Sequence, residues 1–505
     1  MRLREDLRGE HDRSLRTLML RLLRGRSGSF RLLSTAAAAA PQPDVIIVGA
    51  GIIGCSIALS LNRRGLRTLN LDKGSGAGSG STCFSSGIIR TFYTARESAK
   101  FAWEGLHYWE EWADHVGLKD GGGGGEAAAC EGGLARMRTC GAVLPRTAAS
   151  HDFLAKVIAH SLALGIPHEE WSAERAAAAL GWDLGAYHPP TRVDHPDFGA
   201  ASTPAPDGVR GAVHFPRTGY VSDPLLACQN IEAAARATGL AEFRYGAAAA
   251  VQHVRKDAGG ARVVGVGTAG GDELRAPVVV NAAGPHSSKI TALAFDYDDD
   301  GGGSITAGPP NDMRVSTRAM RQEVAYVPSP AGVDQDADGV VSADFDVGCY
   351  WRPEVGGRLL IGGAEPACDA PEWVDDPDAL DESLTENWTN IVYRAALRMP
   401  GIQIPNTAAG VVAMYDVTED WMPIYDKSAL GGYYMAIGTS GNQFKSAPPA
   451  GELMAELITA CEGGVDTDAE PVQLELRRTG HVLDTAIFSR LRVQDDGLTS
   501  GTVLG

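Results

Sequence analysis

Four β-branched residues, Val45-Ile46-Ile47-Val48, run straight into Gly49-Ala50-Gly51-Ile52-Ile53-Gly54, and this stretch constrains the chain more than any other. It reads as a strand, a tight turn and the first turn of a helix. Gly49 permits the sharp exit from the strand, Gly51 lets the backbone approach a pyrophosphate, and Gly54 lets the new helix pack closely on the sheet. The apolar positions Ile52, Ile53, Ile57 and Leu61, closed by Gly65, carry the period of that helix. Its first N–H groups have no partner inside the helix and favour an anion at the turn. A second strand, Thr68 to Asp72, ends in a carboxylate where this arrangement needs one for the ribose hydroxyls of a dinucleotide. Glycine spacing alone is a weak signal. The strand before it, the helix after it and the acid beyond make it a dinucleotide-binding expectation.

A chain of 505 residues exceeds one hydrophobic core, so two domains are expected. The formal net charge of −18 argues against nucleic acid or an anionic membrane as the main partner. Cys55, Cys83, Cys130, Cys140, Cys228, Cys349, Cys368 and Cys461 form no Cys-x-x-Cys pair and no histidine pattern. They read as free thiols, with neither a disulfide framework nor a metal site. No apolar run reaches the roughly eighteen residues of a transmembrane segment. Residues 1–42 are different material, a presequence or a disordered tail. From Met19 to Pro43 the chain carries Arg21, Arg24, Arg26 and Arg31 and no acid, with leucines interleaved, which implies a mitochondrial matrix address with a plastid as the alternative. Glu5, Asp6, Glu10 and Asp12 break that pattern upstream, so the start is either Met19 or an extended reading frame.

After the glycine- and serine-rich loop 73–86, Gly87 to Arg90 reads as a short strand or turn. Residues 95–115 read as a helix whose Phe101, Trp103, Leu106, Trp109 and Trp112 belong to the core. Residues 121–125 form a glycine insertion, 132–139 a strand, 148–164 a helix and 194–211 a surface loop. Short strands at 213–215 and 219–221 lead into a helix at 225–238, and strand-like pieces follow at 249–254 and 263–267. Val278-Val279-Val280 then ends in Asn281-Ala282-Ala283-Gly284-Pro285, small residues that let a flat cofactor pass close to the backbone. The acidic insertions 296–303 and 334–338 read as solvated loops rather than calcium loops. Strands of a second sheet fall at 321–327 and 348–363, and a helix at 384–399 turns Trp388, Ile391 and Leu397 inward. Strands at 411–415 and 433–438 precede a polar loop, 439–445, and a helix that starts near Pro448 and Pro449. Beyond Cys461 the chain is polar and weakly patterned.

These residues together resemble the FAD-dependent amine and amino-acid oxidoreductases of the D-amino acid oxidase, glycine oxidase and sarcosine oxidase superfamily. The resemblance spans residues 43–460. It rests on Gly49, Gly51 and Gly54 with Asp72, on Gly87 to Arg90, on Asn281 to Pro285, and above all on Gly438-Thr439-Ser440-Gly441-Asn442-Gln443-Phe444-Lys445. It implies an α/β chain: a Rossmann-like FAD-binding domain assembled from residues 43–95, 218–300 and 405–462, a mixed or antiparallel α+β substrate domain from 96–217 and 301–404, and a tail at 463–505. The implied FAD-binding residues are Gly49, Gly51, Ile52, Ile53, Gly54, Asp72, Lys73, Ser81, Val251, Ala283, Gly284, Gly438, Gly441, Asn442, Gln443 and Phe444.

Carried over residue by residue, the resemblance puts Arg90 and Lys445 in the place of a clamp on a substrate carboxylate and Tyr415 in that of an active-site tyrosine. The chemistry is coherent, since a guanidinium fork and an ammonium would fix a carboxylate beside the flavin. Structural readings stand beside these: a partner acid for Arg90, solvent for Lys445, simple core for Tyr415. Ala413 replaces the cysteine that tethers FAD in monomeric sarcosine oxidases, and residues 79–86 offer no histidine, so FAD is expected to be non-covalent. Gly87 replaces a basic residue that flanks the flavin. The implied reaction is oxidation of a small carboxylated amine or N-methyl amino acid by hydride transfer to FAD. No lysine occurs between Lys289 and Lys427, where oxygen-reducing relatives keep one, and Arg352 or Arg358 is the available substitute. A dehydrogenase that passes electrons to a protein or quinone is therefore expected. The alternative is a mitochondrial FAD protein without turnover, acting in respiratory complex assembly. The 438–445 loop disfavours an NAD(P)-linked enzyme.

Overall fold

The Val45–Val48 strand lies inside a six-stranded sheet of order Ile424–Lys427, Tyr433–Ile437, Val278–Asn281, Val45–Val48, Thr68–Asp72, Ala241–Tyr245. All neighbours are parallel except the Ile424–Lys427 edge strand. Both faces are covered, which is why these strands are almost continuously apolar. Val45 and Ile47 face the helices Ile52–Arg63 and Ala447–Glu462, while Ile46 and Val48 face a cluster that includes Val251, Val263 and Ile290. The two helices meet so closely that a Cβ at Gly451 would stand 2.3 Å from the Ser56 carbonyl oxygen. The computed structural model describes residues 42–117, 132–187, 189–202, 210–295, 313–494 and 499–504. Expectations for residues 1–41, 121–125 and 296–303 lie outside them.

The second large sheet is antiparallel and built on the long Thr317–Pro328 strand. On one side it pairs with Arg358–Gly363 and, nearer its start, with Glu372–Val374; Cys349–Glu354 and Ser342–Asp344 continue the sheet beyond Arg358–Gly363. On the other side it pairs with Gly410–Thr418, in a register that sets Met320 opposite Tyr415 and Gln322 opposite Ala413. The helix Glu386–Arg398 covers one face with Trp388, Ile391 and Val392; Leu397 packs at the edge of that cluster. The Gly410–Thr418 strand falls in the segment expected to build the dinucleotide domain, yet its backbone belongs to this sheet. It joins the two halves.

One reading needs narrowing. The strand expected at 132–139 is confined to Met137–Thr139, because Gly132 and Gly133 take positive φ. Beyond Cys461, where the sequence is weakly patterned, the chain is folded onto the body. Gln473–Glu475 pairs with Val482–Asp484, and the buried Glu104 accepts the Arg478 and Thr479 backbone N–H groups at 2.9 Å each. Phe488 packs on Phe101 and Tyr425, and Arg490 pairs with Asp426 and Asp468. Residues 334–338 form a turn in which Asp334 accepts the Asp336 N–H. The seven described cysteines are free, and among the described residues no group of acids, histidines or cysteines is placed to hold a metal. No helix among them is long and apolar enough to cross a membrane.

Candidate active site

A cavity of about 880 Å³ lies between the carboxyl ends of the parallel strands and the antiparallel sheet. That is ample for a dinucleotide, at the upper end of small-molecule sites. Gly49, Gly51, Ile52, Ile53, Asp72, Lys73, Ser81, Val251, Ala283, Gly284, Gly441, Gln443 and Phe444 all line it. Gly49 has φ +113°, and a Cβ there would stand 2.2 Å from the Ala282 carbonyl oxygen. At Gly51 only the Thr82 hydroxyl comes within contact, at 3.3 Å, so the backbone is bare toward the cavity. This cradle fits a pyrophosphate. Gly54, Gly438 and Asn442 do not line the cavity. Gly54 packs against the Gly49 carbonyl and Gly438 against Thr418, while Asn442 faces a smaller adjoining pocket.

Three of the expected contacts already have protein partners. Asp72 accepts the Ala50 and Gly74 N–H groups, each at 2.7 Å, so its carboxylate fastens the glycine turn to the following loop and keeps its remaining lone pairs for the cavity. Lys73 pairs with Asp378 and His286, and Lys289 with Asp376 at 2.6 Å, tying the loop after Val374 over the cavity mouth. Ser81 donates to the Met414 carbonyl at 2.9 Å. Thr82, which the sequence did not single out, accepts the Ile52 N–H at 3.1 Å and so occupies the first donor of the helix.

Arg90 and Lys445 come together in a pocket of about 40 Å³ that shares Tyr350, Tyr415, Gly441 and Phe444 with the large cavity. Arg90 leaves the short Ile88–Ile89 strand, which pairs with Gly219–Val221. Gly87 is needed there for a backbone reason: a Cβ would stand 2.3 Å from the Val221 carbonyl oxygen. The Arg90 guanidinium lies 4.0 Å from the Tyr93 ring centre, donates to the Val503 carbonyl at 2.9 Å and also bonds the Phe92 carbonyl. Lys445 sits on the single turn Phe444–Ser446 and donates to the Tyr93 hydroxyl at 2.9 Å and to the Asn442 carbonyl. The aromatic helix Arg96–Glu110 holds that turn: Trp109 donates to the Lys445 carbonyl at 2.8 Å, its ring stacks on Phe444 at 4.9 Å, and Gly105 leaves room for the same carbonyl. Tyr93, between the two cations, was missed because nothing in the local pattern separates it from a core tyrosine.

Both cations are 5 % exposed or less, and neither has a carboxylate partner among the described residues. Burial lowers the pKa of each, and Arg90 lowers that of Lys445 further. Two adjacent buried cations without an anion form an incomplete group that an anion would satisfy.

Tyr415 stands on the wall between the two spaces. A Cβ at Gly441 would come 2.5 Å from its ring, so the loop crosses the ring face with a glycine. Burial raises the Tyr415 hydroxyl, and the neighbouring Tyr350 and Glu365 raise it further. Tyr350 itself is pushed up to about 12 by burial and covers Gly362. Asp416 accepts the Gly438 N–H at 2.6 Å and is pushed up to about 7 by burial. Gln322 and Ala413 line the cavity. Arg352 and Arg358 do not: Arg352 bonds the Ser86 and Pro353 carbonyls and pairs with Glu354, and Arg358 lies over Tyr326. Neither therefore brings its cation to the cavity wall. Arg321 points to the other face, paired with Glu323 and Glu372.

A family model described as FAD dependent oxidoreductase matches residues 44–457, and the chain belongs to that family. FAD is its cofactor. The chain is 25 % identical over 428 residues to the glycine oxidase of Geobacillus kaustophilus (strain HTA426), covering 84 % of this chain and 94 % of that one. It is 23 % identical over 471 residues to FAD-dependent oxidoreductase domain-containing protein 1 of Xenopus laevis, covering 84 % and 80 %. Among solved structures, L-proline dehydrogenase from P. horikoshii shares the fold with a TM-score of 0.62 and 19 % identity, over 85 % of this chain and 96 % of that one.

Proposed function

We propose that this protein oxidises a small carboxylated amine, an amino acid or N-methyl amino acid, with non-covalent FAD in the large cavity. The observation that carries the reading is the buried pair Arg90 and Lys445, two cations without an acid, one thin wall away from the cavity. The glycine turn and the 441–444 loop would hold FAD, which when bound supplies the hydride acceptor. Arg90 and Lys445 would hold the carboxylate, fixing the adjacent C–H against that acceptor, and Tyr93 would keep the two cations aligned. Tyr350, Tyr415 and Phe444 exclude water from the reacting carbon. Ala413 on the cavity wall has no sulfur for a covalent tether, so acid or heat should release the flavin. The names of the glycine oxidase and proline dehydrogenase relatives agree with an amino-acid substrate. Anaerobic mixing with a panel of N-methyl and cyclic amino acids should bleach the flavin absorbance; no bleaching by any member would overturn the reading.

Within it we favour a dehydrogenase. Gln322 lies at the cavity, and both arginines offered as substitutes for an oxygen-activating lysine are engaged elsewhere. Reduced protein mixed with air-saturated buffer should reoxidise far more slowly than substrate reduces it. Reoxidation at the turnover rate, with stoichiometric hydrogen peroxide, would make it an oxidase. A mitochondrial matrix address, proposed from the basic residues 19–43, would supply a protein or quinone acceptor. One observation favours a second reading, an FAD protein of respiratory complex assembly without turnover: Val503 and Leu504 line the small pocket and leave little of it open.

A further inference from the structure

The amine end of the substrate has a candidate partner as well, an inference that rests on the clamp reading of Arg90 and Lys445 and extends it. Glu365 lies just beyond the Arg358–Gly363 strand with φ +49°, a left-handed conformation that non-glycine residues adopt rarely and at a cost. The residue lines a neighbouring cavity with Asp369, Trp421 and Gly501, on the far side of Val503 from Arg90. Oε2 accepts the Val503 N–H at 3.0 Å, while Oε1 is buried with no hydrogen-bond partner. Tyr350 and Tyr415, the wall residues, both feel its charge. Burial pushes this carboxyl up to about 8, with Asp369 adding to the shift and the Val503 N–H opposing it. An orphaned buried oxygen has lost its water without gaining a partner, so the position is unfavourable unless it receives a donor.

Val503 supplies the geometry. Its N–H is on Glu365 and its carbonyl is on Arg90, at 3.0 and 2.9 Å. One residue's N–Cα–C=O unit thus spans the two groups, and its side chain is buried with Leu504 in the same pocket. A free α-amino acid carries the same three-atom unit, with an amine at one end and a carboxylate at the other. We propose that Arg90 and Glu365 are the two ends of an α-amino-acid site, Glu365 receiving the substrate's amine, and that residues 499–504 seat Val503 in it as a surrogate the substrate must displace. The unpaired Oε1 is then the acceptor for a second amine N–H, which a peptide nitrogen lacks and an amino acid brings. Because the surrogate is tethered, it competes at a high effective concentration and lowers apparent affinity without touching the intrinsic one.

The test is calorimetric titration of flavin-loaded protein with sarcosine, glycine and proline, and with butyrate, which keeps the carboxylate of sarcosine and replaces its nitrogen by carbon. At pH 7, below the Glu365 transition, Glu365→Gln should weaken the tightest amino acid by about ten-fold or more while changing butyrate by less than about two-fold. Removing residues 499–505 should tighten both classes by about ten-fold. Equal losses for the amino acid and butyrate in Glu365→Gln, or no loss, would overturn the assignment of Glu365. Unchanged affinities after the deletion would overturn the surrogate. Binding of no amino acid to either the full chain or the deletion variant would count against the whole site. The clamp reading fails separately: it falls if butyrate binds wild type and Arg90→Ala equally.

Discussion

The glycine turn and the clamp pocket sit a few residues of wall apart and are built on opposite plans. The turn does its work with backbone: Gly49, Gly51 and Gly54 lie within six positions of one another, and what matters at each is the absence of a Cβ. The pocket does its work with side chains gathered from Arg90, Tyr415 and Lys445, held together by Tyr93 behind them, and with Val503, whose backbone links Arg90 to Glu365. A site made of backbone must be contiguous, so it is local in sequence. A site made of charge needs only convergence, so it is scattered. A Cβ at Gly49 or Gly54 would strike backbone, whereas truncating a pocket side chain removes a charge or a ring and leaves the backbone as it is.

Substitutions at the two places should therefore fail differently. The largest effect is expected from Gly49→Ala. Its methyl would meet the Ala282 carbonyl oxygen at 2.2 Å, a backbone atom that cannot rotate aside, at a φ of +113°. A destabilisation of about 4 kcal/mol or more is expected, with loss of FAD, read by thermal unfolding and flavin content. A yellow, stable Gly49→Ala protein would break the contrast. Next comes Arg90→Ala, which should weaken carboxylate ligands by about 2–5 kcal/mol while flavin content stays near wild type. Calorimetry with butyrate and an absorbance spectrum check the two halves. Loss of flavin in that variant would mean that the two regions are not separable.

The sequence was informative where structure is written in near neighbours. The parallel strands, the Ile52–Arg63 helix and the loop before the Ala447–Glu462 helix were legible because periodicity, glycines and prolines are local signals. Arg90, Lys445 and Tyr415 were reachable only through resemblance, and the structure gathers them around one small pocket. Glu365 carries no local mark; its importance comes from a positive φ and an orphaned oxygen, which no pattern encodes. Residues beyond Cys461 were illegible for another reason. They dock through long-range polar anchors, of which Glu104 accepting from Arg478 and Thr479 is the clearest, and polarity without periodicity carries no local signal. Glu104→Gln keeps the size and loses the charge on those backbone N–H groups, so a smaller loss of about 1–3 kcal/mol is expected. Proteolysis should then cut first between residues 463 and 494; an unchanged digestion pattern would argue that Phe488 and Arg490 hold this segment alone.

The smallest expected effect sharpens the comparison most, because the pocket's charges change with pH. Lys445 is driven toward its neutral form by burial and by Arg90, so its pKa in the free protein lies well below the ordinary lysine value. A bound carboxylate favours the ammonium and raises that pKa. Between the two values binding takes up a proton, and affinity must fall as pH rises, by at most about ten-fold per pH unit. Glu365 acts in the same direction on a ligand without an amine, since its carboxyl, pushed up to about 8, becomes an anion beside the site as pH rises through that value. Arg90 stays charged, and Tyr93 is raised by burial and stays neutral, so neither adds to the slope. Butyrate titrated across pH 6 to 10 should therefore weaken monotonically in wild type. Glu365→Gln should retain the Lys445 share of the slope and Lys445→Gln the Glu365 share. A slope of the opposite sign, or one that neither variant alters, would remove Lys445 from the clamp.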